Sequence, residues 1–283
     1  MTSSPELDDL IVRARAVDGS PPFSDGALVQ FANGQRELVW EFDSAGRRVG
    51  AALDSPAASE FVVDPDARRL GHGARMLDML THPARGGAGG AKLFWAHGNH
   101  PAARALAHHH RLESVRTLLQ LRLAHLPAAP AQEPGSGTGT TAFTPADAND
   151  WLALNARIFA EHPDQGAITR ADLDVSMAEP WFDAGDFLLL RDGGELVGYV
   201  WLKISGGASE QPSGEFYVVG VAPERQGTGL GGTLMAAGFA RLVERGIHSA
   251  HLYVEGDKAA ALRLYRGLGF AESQVDVQYH YSR

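Results

Sequence analysis

The segment Gln226-Gly227-Thr228-Gly229-Leu230-Gly231 places three glycines within six residues. Glycine lets backbone N–H groups approach a ligand closely, and a helix beginning there adds partial positive charge. Such a turn suits a pyrophosphate, although a dinucleotide site or a plain tight turn can carry the same pattern. Just upstream stands Glu215, in the strand-like run G-E-F-Y-V-V-G-V. Strand alternation predicts Glu215, Tyr217 and Val219 on one face. A carboxylate beside two large side chains loses hydration, which raises its pKa toward that of a useful base. The chain has no cysteine, so no thiol can serve as nucleophile. His108-His109-His110 has the residue type of a metal site, but consecutive helical residues point about 100° apart and cannot converge on one ion. We read those histidines as a surface helix and expect no metal.

These groups need elements to hold them. In the second half, Asp147 to Ala160 carries Trp151, Leu154, Ile158 and Phe159 at helical spacing. Phe187 to Asp192 and Glu195 to Ile204 read as strands joined by a Gly-bearing turn, and Gly214 to Val221 as a third. A helix is expected from Gly229 to Glu244, a buried strand over Ser249 to Val254, a helix over Asp257 to Arg266 and a last strand through Gln274 to Tyr281. The order α, β, β, β, α, β, α, β predicts an α/β domain with a mixed sheet. A Rossmann fingerprint would open its domain, whereas this turn lies late. No Walker lysine follows it, which disfavours a nucleotide-dependent enzyme.

The chain of 283 residues, 44% hydrophobic and 21% charged, is long enough for two domains with full cores. The Pro-, Gly-, Ser- and Thr-rich stretch Leu126 to Thr144 has linker composition. We expect domains at 1–126 and 144–283, with a linker over 127–143. The halves repeat one another. At an offset of 158 residues, Gly71 falls on Gly229, Gly73 on Gly231, Pro65 on Pro223 and Met76 on Leu234. Without a gap, Trp95 then meets Tyr253, Leu112 meets Phe270 and Gln120 meets Gln278. The net charge of -9 argues against nucleic acid or an anionic membrane as partner. No apolar run approaches the roughly 20 residues that span a bilayer, and the acidic, amphipathic start does not read as a signal peptide, so a cytoplasmic monomer is expected.

The Gly turn, followed after one strand by D-K-A-A-A-L-R-L-Y-R-G-L-G-F from Asp257 to Phe270, resembles the GNAT acetyltransferase superfamily. That family's acetyl-CoA motif, Q/R-x-x-G-x-G/A, occurs twice, at Arg68 to Gly73 and at Gln226 to Gly231. The resemblance implies two tandem GNAT domains of α/β class, each a mixed sheet with flanking helices, with acetyl-CoA as co-substrate. It implies CoA contacts from Val219, Gly220 and Val221, from Gln226, Gly227, Thr228, Gly229, Leu230, Gly231 and Gly232, and from Lys258, Ala259, Ala260, Ala261, Leu262 and Arg263. The first half would match with Phe61, Val62 and Val63, then Arg69, Leu70, Gly71, His72, Gly73 and Ala74. Pantetheine would lie between two splayed strands, with the N–H near Val219 polarising the thioester carbonyl. Tyr265 occupies the place of the family's usual general acid. Its offset partner is Ala107, and that of Glu215 is Ala57, so the first half is expected to be non-catalytic.

F-W-A-H-G at Phe94, I-F-A-E-H-P-D-Q-G at Ile158, P-W-F-D at Pro180 and L-Y-V-E at Leu252 together resemble the mycothiol synthase family over nearly the whole chain. That resemblance implies acetyl transfer to the cysteinyl amine of cysteinyl-glucosaminyl-inositol, a small-molecule thiol pseudodisaccharide, with Glu215 as base and Tyr265 as acid. It implies that Lys203, Tyr253, Asp164, Asp25 and Glu215 contact that substrate. Asp25 and Asp164 stand where the family has Glu, so these contacts shorten by about one C–C bond and are open to water bridging or loss. A GNAT enzyme acting on another amine, and a non-catalytic acetyl-CoA-binding module, are the alternative readings. The joint presence of Glu215 and Tyr265 argues against the second.

Overall fold

A computed structural model describes residues 4–83, 91–127, 138–161, 165–205 and 212–282. By contacts the chain divides into two compact units, Met1–Gln120 with Glu255–Asp257 and Ser273–Arg283, and Leu121–Val254 with Lys258–Glu272.

The first unit opens with α1 (Pro5–Asp18) and α2 (Asp25–Ala32), followed by β1 (Glu37–Phe42), β2 (Arg48–Asp54) and β3 (Ala58–Val63). Then come α3 (His72–Leu80), β4 (Lys92–Ala96), α4 (Pro101–His109) and β5 (Glu113–Leu123). The chain's closing strand, β11 (Ala271–Tyr281), lies in this unit's sheet between β4 and β5. It runs antiparallel to β4 from Val277 opposite Ala96 to Tyr281 opposite Lys92. Leu7, Leu10, Phe23 and Ala27 of the α1–α2 segment pack on Ala51, Leu53 and Val62, while Met76, Leu77 and Leu80 of α3 pack on Val39, Ala52 and Phe94. The sheet is thus covered on both faces.

A charged contact fastens β11. His97 lies between Glu60 of β3 and Asp276 of β11, with Nε2 3.0 Å from the first carboxylate and Nδ1 3.2 Å from the second. The Gly98 N–H donates to Asp276 at 2.8 Å, and the Ser24 N–H and hydroxyl donate to Glu60 at 2.7 and 2.8 Å.

The second unit carries β6 (Thr138–Ala142), α5 (Ala148–Ile158), α6 (Arg170–Met177), β7 (Phe187–Asp192), β8 (Glu195–Ser205), β9 (Ser213–Val221), α7 (Leu230–Glu244), β10 (Ala250–Glu255) and α8 (Ala259–Gly267). Its strands run in the order β10-β9-β8-β7-β6. Central β8 is apolar on both faces, with Val197, Tyr199, Val200, Trp201 and Leu202 buried. Trp151 of α5 packs edge-on against Phe187, Tyr199 and Trp201, and Phe187 stacks on Trp201 at 4.4 Å. Each such ring stabilises the core by about 1.5–3 kcal/mol through burial, with further gain from ring geometry. On the other face Phe216 meets Phe239 of α7 at 5.1 Å.

Two elements escape the sequence reading. Strand β6 falls inside the stretch read as linker and pairs antiparallel with β7 from Thr138–Asp192 to Ala142–Leu188. Its T-G-T-T-A sequence suits an exposed edge, where no apolar alternation is required. Helix α6 lies between Ala160 and Phe187 and begins at a capping box of Thr169 and Asp172.

The repeat is geometric as well as textual. Helix α4 and α8 correspond residue for residue at the 158 offset, as do β5 and β11. Each Gly turn is preceded by a 3-10 turn, at Pro65–Ala67 and Pro223–Arg225. A Cβ at Gly73 would lie 3.0 Å from Leu106, and one at Gly231 would lie 3.0 Å from Leu264, the residue at the same offset. Upstream of the loop joining β8 to β9 the offset falls to 148. There Gly50 crowds Met76 and the Val62 carbonyl as Gly198 crowds Leu234 and the Gly220 carbonyl.

Candidate active site

Strand β9 carries the site, and a bulge in it decides which side chains meet. In the β8–β9 register Trp201 faces Val218 while Leu202 faces Phe216, so Tyr217 is the extra residue. Before the bulge, the open side of Gly214 and the ring of Phe216 point toward α7. After it, Val218 joins the core around Trp151, and the open side of Gly220 meets Ile158 and Tyr199. The expected single face of Glu215, Tyr217 and Val219 is therefore corrected. Glu215 and Tyr217 share the α5 side with Val218, whereas Val219 pairs with Val200 and turns to the other face.

On the α5 side four elements converge. Lys203 of β8 stands opposite Glu215 in register, and its ammonium lies over the rings of Trp181 at 5.1 Å and Tyr217 at 5.8 Å. From β10, His251 pairs in parallel register with Glu215, its Nε2 3.8 Å from the carboxylate. Tyr253, two residues on and 45% exposed, meets the His251 ring edge-to-face at 6.1 Å. Burial, together with the charges of Arg122 and Lys203, lowers the His251 pKa. Burial, then Glu215 and Glu179, raises that of Tyr217. An ammonium, a carboxylate, a neutral imidazole and two phenols thus share one partly buried sheet face, an arrangement able to bind a hydroxylated amine and take its proton.

The parallel register of β9 with β10 covers Gly214–Ala250 and Glu215–His251. Its counterpart in the first unit covers Ala58–Leu93 and Ser59–Phe94. In both units β9 or β3 continues past this pairing to its Gly turn. In the second unit Gly227 and Gly229 take φ of +76° and +92°, and Gly229 caps α7. The Gln226 amide donates to the Val221 carbonyl at 3.2 Å, and Thr228 to the Arg225 carbonyl at 2.6 Å, so both side chains brace the turn. The exposed backbone from Gln226 to Gly229 faces solvent ahead of the helix N-terminus. In the first unit Arg69 and Gly71 adopt φ of +65° and +85°, and Arg68 donates to the Val63 carbonyl at 3.1 Å, the partner Gln226 has at the same offset. The remaining Arg68 nitrogens bind Asp18 at 2.7 and 2.8 Å. His72 is buried against Glu41 at 2.8 Å, where the second unit has Leu230.

Tyr265 is buried in α8 beside Phe270, ring centroids 6.1 Å apart, and burial pushes its phenol up to about 12. Lys258 is the N-cap of α8, and Ala259 to Arg263 form its first turns, with Leu262 buried. Of the expected substrate residues, Lys203, Glu215 and Tyr253 share one face. Asp164 lies outside the described residues. Asp25 is an exposed residue of the first turn of α2, in the first unit, where Ser24 is the N-cap. His108 and His109 close α4 on its exposed side.

Three side chains of the cluster escape the sequence reading: His251, Tyr217 as a bulge residue, and Trp181. The signal for His251 is its spacing of two from Tyr253 on one strand, which puts both on one face.

Residues 151–270 match the model of the acetyltransferase (GNAT) family. A mycothiol acetyltransferase of Clavibacter michiganensis subsp. michiganensis is 46% identical, the match covering 97% of this chain and 89% of that one. One from Streptomyces avermitilis is 40% identical over 95% of this chain and 89% of its own. Among solved structures, a GCN5-related N-acetyltransferase from Sphaerobacter thermophilus superposes with a TM-score of 0.75 at 19% identity, covering 98% of this chain and 92% of that one. A tandem GNAT protein from the clavulanic acid biosynthesis pathway gives 0.61 at 17% identity, covering 97% and 95%. At those identities the two structures speak for the fold.

Proposed function

The chain belongs to the mycothiol acetyltransferase family of GNAT enzymes, and from that membership we propose that it moves the acetyl group of acetyl-CoA to the cysteinyl amine of cysteinyl-glucosaminyl-inositol. The observation that carries the reading is the convergence of Lys203 of β8, Glu215 of β9 and Tyr253 of β10 on one face of the sheet, with Glu215 on the strand that leads to the Gly turn.

In this reading CoA phosphates lie on the backbone N–H groups of Gln226 to Gly231, and its pantetheine runs along Val219 to Val221 toward α8. Glu215 takes a proton from the substrate ammonium, directly or through one water, and the freed amine attacks the thioester carbon. The N–H near Val219 polarises the carbonyl. The tetrahedral intermediate then collapses: the C–S bond breaks, the CoA thiolate takes the proton of the Tyr265 hydroxyl, and the second proton lost by the nitrogen returns Tyr265 to the phenol, directly or through water. A positioned base of this kind contributes about 10²–10⁴ in rate. The buried phenol of Tyr265 stays protonated across the neutral range, as an acid must.

Lys203 and Tyr253 bind sugar or inositol hydroxyls. Asp25 and Asp164 remain candidate substrate contacts. The first unit lacks counterparts of Glu215 and Tyr265 and serves to bind CoA through its own turn, or as structure. No described helix is long and apolar enough to cross a membrane.

The test is CoA release from acetyl-CoA, comparing cysteinyl-glucosaminyl-inositol with glucosamine, free cysteine and a polyamine. Strong preference for the cysteinyl pseudodisaccharide is expected. Equal or better turnover of another amine returns the substrate to an open question.

A further inference from the structure

Glu215 cannot turn over as a base unless the proton it gains has a route away. The group placed for that is His251. It stands beside Glu215 in parallel register, with Nε2 3.8 Å from the carboxylate oxygen, a gap that a small side-chain rotation or one bridging water closes. Its other nitrogen, Nδ1, lies 3.2 Å from the Ser213 hydroxyl, in the same strand as Glu215. The ring is partly buried yet keeps about a fifth of its side chain exposed, 19%, so it reaches solvent.

We propose that His251 is a positioning residue that receives the proton Glu215 takes from the amine and passes it to solvent, with Ser213 holding the imidazole in the tautomer that keeps Nε2 open toward Glu215. The inference rests on the reading of Glu215 as base. In the transfer, the amine N–H bond breaks as a carboxyl O–H forms on Glu215. That O–H then breaks as an N–H forms at Nε2 of His251, giving an imidazolium that water deprotonates. In the tautomer proposed, Nδ1–H donates to the Ser213 hydroxyl throughout.

The surroundings suit a transient proton carrier. Lys203 on β8 and Arg122 on β5 are the cations whose charges act on the ring, Glu215 on β9 is the neighbouring anion, and Tyr253 on β10 is a neutral neighbour. Burial, then the charges of Arg122 and Lys203, favours the neutral imidazole at rest, ready to accept. The Glu215 carboxylate partly offsets them once the ring is charged. Alternation along β10 also sets His251 and Tyr253 on one side, so the proton leaves along the open rim.

The experiment measures steady-state kcat and acetyl-CoA KM for His251→Gln and Ser213→Ala, in buffers with and without added free imidazole. His251→Gln is expected to slow turnover about tenfold at neutral pH while leaving acetyl-CoA KM within about twofold. Added imidazole should restore part of the loss, because a diffusible base can take the proton from Glu215. Ser213→Ala should lose less, with the same rescue. A His251→Gln rate equal to the parent, or a loss that imidazole does not move, overturns the proposal. Glu215→Gln separates the two readings. If that variant is inactive while His251→Gln is fully active, the base stands and the relay falls. If Glu215→Gln keeps the parent rate and pH profile, both fall.

Discussion

Lys203 and Glu215 stand opposite one another in the antiparallel register of β8 and β9, so an ammonium and a carboxylate project from the same face of the sheet. The aromatic walls of Trp181 and Tyr217 hold the lysine there. A hydroxyl-rich ligand entering this face loses a charge-assisted donor if the lysine is removed, worth about 1.5–3 kcal/mol. We expect Lys203→Met to raise KM for the amine substrate by about one to two orders of magnitude, with acetyl-CoA KM little changed. Initial-rate kinetics with each substrate varied in turn decides it. A change confined to acetyl-CoA KM would move Lys203 out of the amine site.

Tyr265→Phe removes one oxygen from a buried ring and leaves its packing on Phe270 in place. If the phenol protonates the departing thiolate, turnover falls by about 10²–10⁴ while acetyl-CoA binding holds. The pH dependence is specific as well. With its phenol pushed up to about 12, Tyr265 remains protonated at pH 10, so no loss of rate near the ordinary tyrosine value is expected from this residue. An alkaline limb near pH 10 that vanishes in the Phe variant would contradict the buried setting. Unchanged turnover would remove Tyr265 from the acid role.

The downstream part of each repeat was legible because its spacing is rigid. Gly73 and Gly231 must stay bare for Leu106 and Leu264 to approach, which ties the turn to the following helix and preserves the 158 offset. Upstream the offset breaks to 148 in the loop between β8 and β9, and the likeness of Gly50 to Gly198 is invisible without coordinates. The face of Val219 is hidden from the sequence for a local reason. G-E-F-Y-V-V-G-V looks like an unbroken strand, and nothing in its letters marks Tyr217 as a bulge. His251 is not legible as a site residue in the sequence because its meaning depends on a parallel partner, Glu215, far away in the chain. Strand β6 was hidden by threonines and glycine that suit a linker equally well.

Whether the first unit binds CoA turns on Arg69. Its neighbour Arg68 is held by Asp18 and the Val63 carbonyl, so Arg69, exposed in the left-handed region, is the cation at the turn open to a phosphate. Titration calorimetry with CoA is expected to give two sites, and Arg69→Ala to weaken one by about tenfold. Alanine and arginine bear similar backbone cost at that φ, so the comparison isolates the charge. A single site indifferent to Arg69→Ala would leave the first unit with structure as its only role.

The last prediction concerns the fastening of β11. Burial alone would lower the His97 pKa, but Asp276 and Glu60 hold its proton and raise it from 6.5 to about 9. A group with a raised folded pKa contributes fully below its unfolded value and loses that contribution as pH climbs through the folded one. His97 therefore stabilises the first unit by roughly 3 kcal/mol below pH 6.5, declining toward pH 9. Glu60 and Asp276 are held below the ordinary carboxylate range by the same contacts, against the opposing effect of burial. Their share is present above that range and is lost as pH falls through their own lowered values. It is the same interaction seen from its other partners and is not counted again. Stability of this unit should therefore peak between about pH 5 and the His97 unfolded value of 6.5. Thermal melts from pH 6 to 9.5 should show the parent losing several degrees. His97→Gln should start lower at pH 6 and change less, so that the two curves approach one another. Parallel curves over that range would show that the proton on His97 does not hold the final strand in place.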